Sequence, residues 1–141
     1  MFPQNGMTKL PDLPRVLKHK EADFGLRFRK WIESNPRFSS SFELKQTNKD
    51  SIPFSCVEQT QLDWGMRIKS NKGALIRVQG VNGEPDYIWC RNMPAYIVIK
   101  YPKLFCLIDI ETFILEKKKS KRKSLTSKRA IEIAIKIIKS T

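Results

Sequence analysis

Apolar residues recur along this chain first with the period of a helix and then with that of strands. Phe24, Phe28, Trp31 and Ile32 fall at i, i+4, i+7 and i+8, which predicts a helix over 21–33. Ser34-Asn35-Pro36 stops it. Residues 37–47 then read as a strand, in which Phe42 and Leu44 point one way and Glu43 and Lys45 the other. The alternation predicts that the first pair enters a core and the second faces outward. Asn48-Lys49-Asp50-Ser51 makes a polar turn, and Ile52-Pro53-Phe54 an extended link.

Ser55, with Glu58 three residues on, has the form of a helix N-cap, and the helix is expected to run to about Ser70. Asn71-Lys72-Gly73 ends it. Strands follow over 74–79, 86–90, 95–100 and 104–110, with Gly80 to Pro85 as a loop. Residues 111–115 suit a short helix or an edge, and a last helix is expected over 125–139. This order predicts a single-domain α/β protein, a mixed β-sheet flanked by helices. It divides into a basic N-terminal arm over 1–20, a core over 21–116, and a basic segment with the C-terminal helix over 117–141.

Composition sharpens the picture. The 141 residues suffice for one domain with a core, at 40% hydrophobic and 29% charged content. A net charge of +13, from 27 Lys+Arg against 14 Asp+Glu, attracts polyanions, nucleic acid first among them. Neither a spanning apolar run nor a signal-peptide stretch is present, so no membrane and a cytoplasmic location are expected. Cys56, Cys90 and Cys106 form no CxxC pair and suit buried apolar positions of an intracellular protein. A single histidine, His19, argues against histidine-based metal or triad chemistry.

The candidate chemistry follows from this. A carboxylate beside a lysine, as in Glu43 and Lys45, can hold a divalent cation and polarise a water or phosphate oxygen. The bland alternative is a strand ion pair of little worth. Glu21 sits near the apolar stripe of the first helix, where a first-turn acid also complements the helix dipole. Gln59 and Gln61 lie in the first turns of the second helix. Arg27 and Arg29, with the run Lys117, Lys118, Lys119, Lys121, Arg122 and Lys123, are the expected phosphate contacts.

These residues carry a resemblance. The strand Phe42-Glu43-Leu44-Lys45 resembles the metal-binding (D/E)-x-K strand of the PD-(D/E)XK nuclease superfamily. The stretch Ser51-Ile52-Pro53-Phe54-Ser55-Cys56-Val57-Glu58-Gln59-Thr60-Gln61-Leu62 is similar to the segment that follows Glu-x-Lys in Holliday-junction resolvases of the RecU type. Glu21 is similar to the N-terminal glutamate of the archaeal Hjc-type enzymes. More loosely, the chain is similar to small phage-encoded, resolvase-like proteins ending in a Ser-Leu-Thr-Ser basic helix.

The resemblance implies a restriction-endonuclease-like core and a Mg²⁺-dependent endodeoxyribonuclease, with Mn²⁺ able to substitute. The implied substrate is branched or four-way-junction DNA, and the implied assembly a homodimer. Glu43, Lys45 and Gln61 would be catalytic, and Glu21, Glu43 and Asp86 would hold the metal. One departure stands out: the family pattern needs an Asp on the preceding strand, and residues 35–41 contain none. Asp86, Glu21 or Glu58 could fill the gap. Otherwise the protein is a non-catalytic DNA-binding or recombination accessory protein. A second frame, Pro85-Asp86 with Ile97-Val98-Ile99-Lys100, has Val98 where the acid belongs and reads as a core strand. An RNA-binding module is permitted by the charge, against a scarcity of exposed-looking aromatics in RNP-like contexts.

Overall fold

A computed structural model of the chain describes residues 15–35, 40–80 and 82–139, with the side chains of 15–23 and of Gln79 outside that description. The described residues fall into two compact units, one before and one from Ser40 onward. Within the described residues are four helices and eight strands in mixed and antiparallel sheets, a mixed α/β architecture.

In the first unit, α1 spans Arg15–Ser34. It opens six residues before the expected start, because nothing between Arg15 and Lys20 breaks a helix after Pro14. The aromatic stripe holds: Phe24 and Phe28 have ring centroids 6.5 Å apart, and Phe28 stacks with Trp31 at 6.0 Å. Asn35 closes the helix, its backbone N–H donating to Ile32 O and its side-chain amide to Trp31 O, both at 2.9 Å. Residues 1–14 of the expected basic arm lie outside the described residues. So do residues 36–39, most of the region where the family Asp would fall.

The second unit is built on a four-stranded sheet. Its strands, in spatial order, are β1 (Ser41–Gln46), β5 (Ala95–Tyr101), β6 (Leu104–Asp109) and β8 (Lys136–Lys139). β1 runs parallel to β5, and the other pairs are antiparallel. A parallel pair needs a long crossover, and residues 47–94 supply it. That crossover holds β2 (Ser51–Pro53), a 3₁₀ turn at Phe54–Cys56, α2 (Gln59–Lys69) and the hairpin β3 (Ala74–Gln79) with β4 (Pro85–Cys90). After β6 come α3 (Ile110–Lys119), β7 (Ser124–Thr126) and α4 (Ser127–Ile133), and β7 pairs with β2.

The core gathers Ile97, Ile99 and Tyr101 of β5, Cys106 and Ile108 of β6, Leu62 of α2, Phe113 of α3 and Leu125 of β7. Phe54 and Phe113 meet edge-on at 5.7 Å. β5 is buried at six of its seven positions, as a central strand is. Lys100 lies on β5 opposite Gln46, one residue out of phase with Lys45 opposite Ile99. Its ammonium is buried and donates to the Tyr101 and Pro102 carbonyls at 3.0 and 3.4 Å.

Three expectations are revised. The second helix begins at Gln59, with Glu58 as N-cap, because Phe54 turns into the core first and residues 54–56 form the 3₁₀ turn. The expected helix over 125–139 is instead β7, a two-turn α4 and β8. Thr126 caps α4 by accepting from Arg129 N–H, and Ile135 N–H donates to Leu107 O, turning the chain onto the sheet. The basic run is split: Lys117 to Lys119 finish α3, and 120–123 form the following loop.

Candidate nucleic-acid site on the edge strand

β1 is one of the two edge strands of the four-stranded sheet. Phe42 and Leu44 meet a buried face, with Leu44 opposite the fully buried Val98, but Glu43 and Lys45 do not face open solvent as expected. Glu43 and Lys45 stand opposite Ile97 and Ile99, the face over which α2 packs, while Phe42 stacks with Tyr96 at 5.7 Å on the other face. Alternation alone cannot tell which face a helix will cover, since every β1 residue is half-buried.

The helix that covers Glu43 brings its polar first turn to meet it. Gln61 Nε2 donates to Glu43 Oε1 at 2.6 Å, and Gln61 Oε1 accepts from the Glu58 N–H at 2.9 Å. The amide is thereby fixed from both ends. Lys45 Nζ lies 3.3 Å from the same Glu43 Oε1. The amide by hydrogen bond and the ammonium by ion pairing converge on one oxygen, and no hydrogen bond among the described residues reaches Oε2. The Glu43 and Lys45 side chains are 34% and 23% exposed, so solvent and ligands can reach them. Gln59 turns away, its amide donating to Asp63 at 2.9 Å.

Beside Glu43 opens a cleft of about 300 Å³. Ser41 and Phe42 of β1, Thr60, Gln61, Trp64 and Gly65 of α2, and Ala95 to Ile97 of β5 line it, with Ile110. Gly65 is there for close approach, since a Cβ would collide with the Ile110 Cδ1. Trp64 is 43% exposed.

A second, larger groove of about 670 Å³ runs between Pro53, Phe54 and Ser55 and the segment Lys117 to Ser124. It is lined by Lys117, Lys121, Arg122 and Lys123 with three serines and no acid. The loop is anchored where Phe54 N–H donates to Lys123 O at 3.0 Å. Burial pushes the Cys56 thiol up, Lys45 and Lys117 pull it back, and Glu43 pushes it further up.

The other expected site residues are placed as follows. Asp86 is exposed on the β3–β4 hairpin, whose strands are not hydrogen-bonded to the sheet that carries Glu43. The Glu21 side chain lies outside the described residues. No group of three His, Cys, Asp or Glu positioned for a metal occurs among the described residues. On α1, Arg29 pairs with Glu33 at 3.4 Å and Arg27 is half-buried. Lys118, Lys119, Lys121, Arg122 and Lys123 are exposed, and Lys117 is half-buried. Among the described residues, no helix is long and apolar enough to cross a membrane.

Two features have no signal in the sequence. One is the buried Glu116, whose carboxylate takes Arg129 Nε and Nη2 at 2.8 and 3.0 Å. The Arg129 hydrogen bond holds the Glu116 carboxyl below the ordinary carboxylate value, against burial. The other is the exposure of Tyr87 and Trp89, since residues 86–90 look from sequence like any ordinary strand. Compared with known proteins, the chain matches no protein-family model, no curated protein and no solved structure.

Proposed function

We propose that this protein is a metal-dependent DNA endonuclease, selective for branched DNA such as a four-way junction. The observation that carries the reading is the convergence of Gln61 and Lys45 on one oxygen of Glu43, at the lip of a cleft and near a strongly basic groove. An idle strand ion pair does not need a helix-borne amide, itself anchored by a capping contact, to hold its carboxylate in place.

Glu43 fits a hard cation in one respect: Oε2 accepts no hydrogen bond among the described residues. Mg²⁺ commonly binds through one or two carboxylates and completes its shell with waters and substrate phosphates. Glu43 would hold it, with the Leu44 carbonyl as a further oxygen. The ion would supply Lewis-acid polarisation of the scissile phosphate and a more acidic water. The chain's own groups do the rest. Gln61 keeps Glu43 in a single orientation. The Lys45 ammonium orients the attacking water and offsets charge that develops on the phosphate oxygens. The groove from Lys117 to Lys123 neutralises backbone phosphates without reading bases. Two symmetric cuts in a junction call for a homodimer.

The test is incubation with a synthetic four-way junction, a nicked duplex and plain duplex, in Mg²⁺ or in EDTA. Mg²⁺-dependent cutting of the junction is expected, abolished in Glu43→Ala and Lys45→Ala. Glu21→Ala and Asp86→Ala examine the second acid ligand expected from sequence. A parent protein that cuts nothing, or variants that cut as well as the parent, would defeat the nuclease reading. Tight junction binding without cutting selects the second reading, a non-catalytic recombination accessory protein. That reading is favoured by the absence of an Asp from residues 35–41.

A further inference from the structure

The β3–β4 hairpin has two unlike faces. Leu75 pairs with Trp89 and Arg77 with Tyr87, so these four side chains share one face. Leu75 is 50%, Tyr87 57% and Trp89 56% exposed, and Arg77 is exposed as well. The opposite face is covered on the β3 side only: Ala74 is buried and Ile76, Val78 and Cys90 are half-buried, whereas Asp86 and Ile88 are exposed. The β3 residues of that face support the hairpin, and the Leu75–Trp89 face keeps two aromatic rings in solvent. A cross-strand Leu–Trp pair stabilises a ribbon. It does not require half of each side chain to stand free. A patch of this kind marks a binding surface.

We infer that this face binds unpaired DNA by stacking bases on Trp89 and Tyr87. The two rings stand two residues apart on one strand, about 6.8 Å. That is twice the 3.4 Å step between successive bases of a strand, room for a base to enter between them. Arg77, directly across from Tyr87, supplies a cation for a phosphate or for a base face. Lys72 and Arg91, both exposed, flank the base of the hairpin. The stacking face carries no carboxylate: Asp86 lies on the other face and Glu84 in the loop. A second copy docking here about a two-fold axis would bring like charges together, whereas a polyanion is complementary to the face and to a chain of net charge +13.

The hairpin is also fixed relative to the edge-strand site. Its base is tied to the end of α2, with Asn92 N–H donating to Ser70 O at 2.9 Å and Met93 N–H to Ile68 O at 3.1 Å. Gly73, at φ +75°, makes the turn, and a Cβ there would meet the Cys90 carbonyl. Gln61 and Ser70 stand nine residues apart on and just beyond this helix, about 14 Å along its axis. α2 thus connects the base of the hairpin to the residue that holds Glu43. The inference rests on the DNA-binding part of the proposed function and not on cleavage.

The experiment uses the full chain in EDTA, so that nothing is cut. Binding of fluorescent twelve-residue oligodeoxythymidine and of a twelve-base-pair duplex is measured by anisotropy, and tryptophan quenching is recorded. The parent is expected to bind the single strand with quenched emission. Trp89→Ala should lose much of the quenching and weaken single-strand binding about 5- to 150-fold, the range for removal of one stacked base. Trp89→Phe should stay within about threefold of the parent, and duplex binding should be unchanged in both. Tyr87→Ala provides a second reading, and circular dichroism confirms folding of each variant. Equal single-strand binding by Trp89→Ala, Tyr87→Ala and the parent overturns the inference while leaving duplex and junction binding intact. So does a parent dimer that Trp89→Ala breaks into monomers without loss of single-strand affinity. A parent that binds neither form of DNA defeats the proposed function itself.

Discussion

Gln61 donates to Glu43 Oε1 at 2.6 Å while its own carbonyl oxygen is held by the Glu58 N–H. One amide thus joins the helix N-terminus to the edge strand. Gln61→Ala removes a hydrogen bond to a charged, partly exposed group and should cost about 1 kcal/mol in urea unfolding. The larger effect is on geometry. Cleavage of a junction should fall about 10- to 100-fold, as misplacement of a catalytic group does, with junction affinity in EDTA within twofold of the parent.

Arg129 and Glu116 give a pH dependence with a definite sign. The carboxyl is held below its ordinary value of 4.5 in the folded protein, mainly by the Arg129 hydrogen bond. Its contribution to stability is therefore complete above pH 4.5 and is lost as pH falls through the lower, folded-state value. Glu116→Gln should be less stable than the parent at pH 7. The gap in thermal midpoint should close progressively below pH 4.5. A gap that stays constant from pH 7 to pH 3 would show that the pair contributes nothing through charge.

The groove from Lys117 to Lys123 should act through phosphates alone. Each lysine or arginine that neutralises a phosphate adds about 0.9 to the slope of log affinity against log salt on duplex DNA. Replacing two of them, Lys121→Ala with Arg122→Ala, should lower that slope by about 1.8, equally for unrelated sequences. A titration of duplex binding from low to moderate salt measures it.

Gly65 faces Ile110 across the cleft wall with no room for a methyl group. Gly65→Ala gains about 1 kcal/mol in helix propensity. It loses about 1–3 kcal/mol by overpacking a side chain that is 2% exposed. The net result should be destabilising by about 1 kcal/mol, read from the shift in urea midpoint.

The three thiols should differ in reactivity. Burial pushes Cys106 up to about 11, and the residue has no solvent exposure, whereas Cys56 and Cys90 are half-buried. Labelling with a thiol reagent at pH 8 should modify Cys106 only at the rate of unfolding.

Much of this architecture is legible from periodicity. The apolar run at Ala95 to Lys100 reads as a central strand because it is buried almost throughout, and the Phe24–Phe28–Trp31 stripe reads as a helix because its spacing has no competitor. Glu43, Lys45 and Gln61 are legible too, since Glu-x-Lys and Gln-x-Gln are local signals. The partial cover over Glu43 and Lys45 is not: alternation separates the two faces of β1, but α2 arrives over the charged one from the crossover. Residues 125–139 mislead because Ala130, Ala134 and Ile138 keep helical spacing across a chain that actually turns at Ala134 to join the sheet. The Arg129–Glu116 pair, 13 residues apart in sequence, leaves no trace in any local window.

The clasp between β2 and β7 bears on how the molecule is made. Residues 50–54 are held by residues 123–127: Ile52 faces Leu125, Ser127 N–H donates to Asp50 O, and the Tyr101 hydroxyl donates to Leu125 O at 2.9 Å. Some 70 residues separate the partners, so a nascent chain must wait roughly 4–14 s at 5–20 residues per second before the clasp can close. Until then Ile52, just upstream of α2, lacks its partner Leu125. Deleting the chain from Lys121 onward would leave that interval permanent, which makes point substitution the sound way to probe the basic loop.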